Sequence, residues 1–464
     1  MKKTLNYILT VSLIWSLLFV ASCSKDDPAP SENDYVNSWI LGNMKQAYYW
    51  TDQIPTSPNK EQVPDAFFKS LLSSEDRFSW IQNNYQDLLN ALQGVSKEAG
   101  YEFTLYRASS TANNVFAQIT YIKKVSPAEA AGLKRGDAID QINNKQITID
   151  NFQTLLQEIN SDHSITYRPY DLSTNSVGTS KTISLSTVEY AENPNFLNTV
   201  ITVNNRKIGY YVYNLFSTGP TSASTQYNDE MDAVFAGFKS AGITDLVLDL
   251  RFNSGGAETA TINLASLIGK GVDETKVFAK RQYNATLTSQ ILNDPSLGTA
   301  FLSSKFKIKS QNIGQLLRNG RVYILTGSRT ASASELLING LRPYMSVFLI
   351  GRQTLGKNVG STSIYKPDDL KNKWGMQPII VKSFNSLDQS DYGTGFIPDI
   401  KNDDNEAQRP LGDPSETLLS LAIANINASG RIGRTEKTLG EPLGYSADVK
   451  PRNKELIVEF KKIN

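Results

Sequence analysis

Two short, largely apolar runs, Val322-Tyr-Ile-Leu-Thr326 and Val347-Phe-Leu-Ile-Gly351, constrain this chain more than any other feature. Runs of that length without polar alternation read as strands buried on both faces, the pattern of a parallel sheet covered by helices. Open α/β sheets keep their chemistry in the loops past the C-terminal strand ends. The first run leads into Thr330-Ala-Ser-Ala-Ser334-Glu335 and the second into Gly356-Lys-Asn-Val-Gly360. Ser332 and Lys357 therefore stand at strand ends as candidate nucleophile and base. The chain holds one histidine, His163, and one cysteine, Cys23. A Ser-His-Asp or Cys-His site would have to route its proton through His163, far upstream, so lysine is the economical base.

That pairing sets a physical requirement. A serine hydroxyl is a poor nucleophile until a neighbouring base takes its proton. A free lysine, with a pKa of about 10.4, keeps its own proton at neutral pH. Lowering that value to about 7–8 needs roughly 3–5 kcal/mol of differential solvation, which burial supplies. Lys357 is thus expected to be partly buried and without a close carboxylate partner in the active form; a salt-bridged Lys357 would imply a resting state or a wrong assignment. A third loop, Phe252-Asn-Ser-Gly-Gly256, follows the strand candidate Asp245 to Arg251. Its paired glycines let backbone approach a ligand closely and aim N–H groups where negative charge develops. Each piece also has a plainer reading: Ser332-Ala-Ser-Glu335 fits a helix N-capping box, Lys357 fits a surface turn, and Gly255-Gly256 fits a tight turn. Ser334 is the rival nucleophile.

Lys2-Lys3, the apolar run Tyr7 to Val20 and then Ala21-Ser-Cys23 form a targeting segment. Small residues before a lone cysteine resemble the bacterial lipobox, which implies cleavage before Cys23 and a lipid on its sulfur. The alternative is a secretory signal or anchor with an incidental cysteine. Ser24 to Ser31 is a polar, proline-containing tether, and Lys25-Asp26-Asp27 resembles an export signal of Bacteroidetes surface lipoproteins. With no second cysteine, no intrachain disulfide can form and the fold depends on burial. Residues 33–95 carry Trp39, Tyr48, Tyr49, Trp50, Phe67, Phe68 and Trp80 at irregular helical spacing and are expected to form a helical domain with these rings in its core. Lys and Arg number 47 against 46 Asp and Glu, a net charge of +1 that gives no reason to expect a nucleic-acid partner. One histidine, one cysteine and no carboxylates at ligand spacing argue against a metal; no phosphate loop is present, and no cofactor is expected.

From Ser96 to Val188, short strands surround Val125-Ser-Pro-Ala-Glu-Ala-Ala-Gly-Leu-Lys-Arg-Gly-Asp-Ala-Ile-Asp140. Pro127 suits the start of a short helix, Gly132 its end, and Gly136-Asp137 a turn into the strand Ala138 to Ile142. This segment closely resembles the signature of a PDZ domain of bacterial protease type. The resemblance assigns Gly100-Tyr-Glu-Phe103 to the loop that receives a peptide carboxylate, without the usual repeated glycines, and Asn151 to Ile159 to the helix beside the groove. His163 follows as a surface or loop histidine.

Asp249-Leu-Arg-Phe-Asn-Ser-Gly-Gly256, Thr330 to Glu335, Gly356-Lys357 and Gly393-Thr-Gly-Phe-Ile-Pro-Asp399 occur in one order. Together with the PDZ-like segment they resemble the C-terminal processing (tail-specific) serine protease family, over roughly Ser96 to Asp399. The resemblance implies a multidomain α+β and α/β chain whose protease core is of the ClpP/crotonase-like type. Its domains would be a signal peptide (1–22), tether (23–32), helical domain (33–95), PDZ domain (96–190), Ser-Lys protease core (191–412) and C-terminal helix with tail (413–464). It makes Ser332 the nucleophile, Lys357 the base, and Ala333 with Gly255 or Gly256 the backbone oxyanion donors. The family often has a glutamine four residues past the lysine; here Ser361 stands there. Arg251, Asn253 and Glu335 read as architectural, the arginine and asparagine tying loops together through backbone carbonyls, and Gly395 to Asp399 as closing the sheet domain. The expected protein is a lipid-anchored envelope endopeptidase, in the outer membrane, facing the periplasm or the cell surface. It acts on peptides or proteins selected by their C-termini, with any activating partner unidentified. The alternatives are a peptide-binding lipoprotein on the same scaffold and a Ser-Lys esterase or amidase.

Overall fold

The computed structural model describes residues 31–174, 176–221, 223–404, 408–427, 439–440 and 442–448; the targeting segment and Cys23 lie outside them. The central sheet runs Asn195–Val203, Arg206–Tyr213, Asp245–Asp249, Arg321–Thr326, Ser346–Gly351 and Ile400–Lys401. Its first pair is antiparallel and every later neighbour is parallel. Strand periodicity divides its side chains cleanly. Tyr211, Tyr213, Leu246, Leu248, Val322, Ile324 and Leu349 share a core with the helices Gln226–Ala241, Glu258–Ile268 and Ala333–Leu341. Tyr210, Val212, Val247, Tyr323, Leu325 and Ile350 face the other way, onto the helix Thr417–Ile426. Both faces are covered, which is why these strands read as continuous apolar runs. The Thr417–Ile426 helix starts where Glu416 accepts the Leu419 N–H at 3.0 Å, a side-chain N-cap.

The segment resembling a PDZ domain forms a second sheet in the order Lys181–Leu185, His163–Arg168, Ala138–Ile142, Val115–Ile122, Tyr101–Arg107 and Gly444–Tyr445. Short helices occupy Pro127–Ala130 and Phe152–Glu158. Gly132 and Gly136 take positive φ of 78° and 97°, as their turn positions require. His163 is a correction: it is buried within a strand, not exposed or in a loop. Its ring bridges the Ser161 carbonyl at 2.7 Å and the Tyr101 hydroxyl at 2.8 Å. Alternation places it inward with Ile165 and Tyr167.

Near the N-terminus, Tyr48, Phe67 and Phe68 are core residues, packed with Val36, Ile40, Met44 and Leu71. That core also contains Met376, from a strand far along the chain. The strand Trp80–Gln82 pairs with Gly375–Gln377, so this helical region is not closed on itself. It leans on a third layer, in which Ser303–Lys305, Val277–Tyr283, Ile379–Phe384 and Val359–Ser361 form a four-stranded sheet.

Candidate active site

Three loops leave the C-terminal ends of adjacent parallel strands and meet. Asp249, Thr326 and Gly351 end the strands that feed the glycine-pair loop, the Ser332 loop and the Lys357 loop respectively. The first two are tied through the backbone of the first: Thr330 Oγ1 donates to the Leu250 carbonyl at 2.7 Å, and the Ala331 N–H and Ser334 Oγ both donate to the Asn253 carbonyl, at 3.3 and 3.1 Å.

Ser332 precedes the helix Ala333–Leu341 with φ 58° and ψ −111°, a conformation that costs a side-chain-bearing residue on the order of 1–3 kcal/mol. Ser332 and Glu335 stand in a capping-box arrangement. The glutamate's arm is a real hydrogen bond, the Ser332 N–H donating to Glu335 Oε2 at 2.9 Å. The serine's arm falls short of one, and its buried Oγ has no hydrogen-bond partner. An unsatisfied buried hydroxyl is costly; Thr259 Oγ1 is another among the described residues, and what distinguishes Ser332 is the combination of that state with the strained backbone. Ser334, the rival, has its hydroxyl committed to Asn253.

Lys357 is 1% exposed, and its Nζ lies 5.1 Å from the Phe78 ring centroid. Glu335, itself fully buried, holds the lysine loop against the serine loop. Its Oε1 accepts from Thr354 Oγ1 at 2.6 Å and the Gly356 N–H at 2.7 Å; its Oε2 accepts from the Lys357 N–H at 2.8 Å as well as from Ser332. Burial pushes this carboxyl above its ordinary pKa, and the four donors pull the other way. Arg77 adds a second brace, donating to the carbonyls of Gly356 at 2.6 Å and Gly393 at 3.0 Å. A Cβ on Gly356 would stand 2.5 Å from the Gly393 oxygen, and one on Gly395 2.0 Å from the Thr354 oxygen. The late glycine motif is therefore packed under the lysine loop, besides leading into the last strand of the sheet.

The two candidate donor glycines differ. Gly255 and Gly256 have φ of 117° and 135°. The Gly255 N–H already donates to Asn253 Oδ1 at 2.9 Å. Its missing side chain is what lets Ser332 and the Ala333 N–H come close: a Cβ there would lie 2.7 Å from Ser332 Cβ and 3.2 Å from Ala333 N. The Gly255 N–H is thus committed within its own loop, and Ala333 opens the helix, whose N-terminal dipole favours negative charge. Ser361 is buried, and its hydroxyl accepts from Gln377 Nε2 at 3.1 Å, while Ser363 Oγ donates to Gln377 Oε1 at 2.8 Å.

Gly100, Tyr101, Glu102 and Phe103 do not converge on this site; Tyr101, Glu102 and Phe103 open a strand of the other sheet, and Gly100 precedes it. The Gly100 carbonyl accepts from the Lys123 N–H at 2.9 Å, and the Tyr101 hydroxyl meets His163. Glu102 lies 3.4 Å from Lys123 Nζ, which also meets Glu98 at 2.8 Å and Glu192 at 3.0 Å. Burial works against the Lys123 ammonium, yet Glu192, Glu98 and Glu102 outweigh it and hold its pKa well above the ordinary value. Arg251 is architectural, bonded to Asp249, Asp404 and Glu416 through carboxylates where sequence reasoning expected carbonyls. The contributions of Glu335 across to residues 354–357, of Phe78, Arg77 and Gln377, were not visible in sequence: each reaches the site from elsewhere in the chain. Among the described residues, no cluster of His, Cys, Asp and Glu could hold a metal ion, and no helix is long and apolar enough to cross a membrane.

The sequence matches the family model Peptidase family S41 over residues 207–402, Peptidase S41 N-terminal domain over 35–80 and PDZ domain over 118–168. A carboxyl-terminal-processing protease of Picosynechococcus is 27% identical over 283 residues, covering 59% of this chain and 58% of its own length. A CtpA-like serine protease of Staphylococcus aureus is 24% identical over 402 residues, covering 84% and 70%. The crystal structure of a Bacteroides fragilis protein assigned as an S41 protease superposes with a TM-score of 0.67 at 28% identity, over 84% of this chain and 97% of that one.

Proposed function

We propose that this chain, which carries S41 peptidase, S41 N-terminal and PDZ domains, is a C-terminal-processing serine endopeptidase working through Ser332 and Lys357. The observation that carries this reading is the unbonded, buried hydroxyl of Ser332 on a strained backbone, clamped through Glu335 to the loop that carries Lys357. Ser332 Oγ attacks the scissile carbonyl carbon as its proton passes to the Lys357 amine. The carbonyl oxygen gains negative charge and takes hydrogen bonds from the Ala333 and Gly256 N–H groups. The Lys357 ammonium then returns a proton to the leaving amine as the C–N bond breaks. Water, deprotonated by the same amine, adds to the acyl carbon; the C–Oγ bond then breaks, and the lysine ammonium returns that proton to Ser332 Oγ. Ser361, bonded to Gln377 at the end of the strand Val359–Ser361, orients the lysine loop.

The PDZ domain takes an extended peptide along the outer edge of Tyr101–Arg107 and presents it to the core, selecting substrates by their C-termini. Cys23 carries a lipid that holds the enzyme at the bacterial outer membrane. The test is cleavage of unfolded casein by the chain from Ser24 onward, with Ser332→Ala and Lys357→Ala beside it. Loss of cleavage in both supports the dyad; cleavage surviving Ser332→Ala overturns it. Peptide binding without cleavage in the parent would favour a binding lipoprotein. For the anchor, Cys23→Ala should move the protein from the membrane fraction to the soluble one.

A further inference from the structure

The peptide edge of the PDZ sheet is already in use. The two-residue strand Gly444–Tyr445 pairs antiparallel with Tyr101–Arg107, Gly444 opposite Leu105 and Tyr445 opposite Thr104. The Leu443 N–H donates to the Leu105 carbonyl at 2.9 Å, and the Leu443 side chain packs on the apolar core that includes Leu155, Leu156 and Leu105. Two of those residues belong to the helix beside the groove. The segment runs toward Gly100, the direction in which an added peptide would carry its C-terminus into the carboxylate loop. At that end Ser446 Oγ accepts the Phe103 N–H at 3.1 Å and donates to the Glu102 carboxylate. The chain then turns off at Ser446–Asp448, with the Tyr445 N–H capped by Asp448 at 2.8 Å.

We infer that Leu443–Ser446 is an internal occupant of the peptide edge, and that a peptide ligand binds by displacing it. The inference rests on the reading of this edge as the peptide dock. The hold is short: a two-residue strand on a seven-residue partner strand, against the five or six residues of an ordinary strand. An incoming peptide that pairs along more of Tyr101–Arg107 gains backbone hydrogen bonds the resident segment does not make. The resident has the advantage of tethering, which gives an effective concentration in the millimolar range. Occupancy also reaches the other domain, because the Tyr445 hydroxyl and Ser328 Oγ are hydrogen-bonded at 2.9 Å. Ser328 lies on the loop between the strand Arg321–Thr326 and Ser332. Filling of the edge by the tail is thus linked by one side-chain contact to the loop of the nucleophile. The ligand class is an extended segment with an aliphatic residue to enter the groove and, three residues on, a hydroxyl to bridge Glu102 and the Phe103 N–H.

The experiment locks and releases the segment in one molecule. Thr104→Cys with Tyr445→Cys introduces cysteines at directly opposed positions, in the chain from Ser24 onward. That form keeps every described residue and lacks the native cysteine. The probe is a fluorescent synthetic peptide copying residues 440–449, followed by anisotropy. Binding should be absent from the oxidised form and return on reduction. In a second variant, Leu443→Asp with Ser446→Ala, affinity should rise at least tenfold over the parent. Equal binding by the oxidised and reduced forms would put the peptide elsewhere and overturn the dock and the inference together, whereas binding that is no tighter in the released variant than in the parent would overturn the inference and leave the peptide dock intact. Absence of binding in every form, including the released variant, would overturn the dock and the inference together; casein cleavage tests the dyad independently of both.

Discussion

Ser332 and Ser334 sit two residues apart and are set to opposite tasks by one hydrogen bond. Ser334 donates to Asn253 and so helps hold two loops together; Ser332 Oγ has no partner. Ser334→Ala should therefore lower stability by about 1 kcal/mol and leave much of the cleavage activity. Ser332→Ala should raise stability by about 1 kcal/mol, because it removes a buried unsatisfied hydroxyl, and should abolish cleavage by ~10⁴-fold or more. Urea midpoints and casein turnover read the two effects, and a reversal of either sign would exchange the assignments. His163 gives a second test at this scale. Burial lowers its pKa below the ordinary value of about 6.5, despite the Ser161 carbonyl and Asp162 pulling upward. The unfolded chain thus takes up a proton at higher pH than the folded one. Its share of stability is complete above about 6.5 and is lost as pH falls below it, at up to ~1.4 kcal/mol per pH unit. As it is the sole histidine, His163→Gln should flatten the fall in urea midpoint between pH 6.5 and 5 relative to the parent.

At the scale of elements, what sequence disclosed and what it hid follow from distance along the chain. Strand runs such as Val322 to Thr326 are legible because burial on both faces leaves a local apolar signature. The loop glycines are legible as turns, but which of Gly255 and Gly256 keeps its N–H depends on Asn253 Oδ1, a matter of side-chain placement. The Ser332–Glu335 box is visible as a four-residue pattern, whereas the same carboxylate's bonds to Thr354, Gly356 and Lys357 need the topology that brings adjacent parallel strands together. The burial of His163 is hidden because a polar residue at a strand start looks like a turn residue until its ring partners are known. Glu335→Gln puts the bridge to the test. An amide nitrogen cannot accept, so one of the two pairs of donors loses its partner. The expected cost is about 2–4 kcal/mol, with cleavage falling at least tenfold, since bonds to a buried charge are worth about 1.5–3 kcal/mol. Native-like stability with full activity would show that the clamp is dispensable.

Across the whole molecule, the site is assembled from regions that no single stretch of sequence encodes together. The central sheet supplies the serine, lysine and glycine loops. The helical N-terminal region supplies Phe78 over the Lys357 amine and Arg77 beneath its loop, and it is fixed to the core by the pairing of Trp80–Gln82 with Gly375–Gln377. That arrangement makes the N-terminal region part of the surroundings of Lys357. Two effects of the Phe78 ring compete. Its face attracts an ammonium by about 0.5–2 kcal/mol. Its bulk excludes water, and desolvation can disfavour an ammonium by several pKa units, at ~1.4 kcal/mol each. Exclusion of water outweighs the attraction of the ring face, so Phe78→Ala should admit solvent, favour the protonated amine and move the rise of kcat/KM with pH toward alkaline values. Phe78→Leu, which keeps the bulk and loses the ring face, should leave that rise at or below its parent position. A profile unmoved by Phe78→Ala, alongside an unchanged urea midpoint, would show that the ring packs against Lys357 without tuning it.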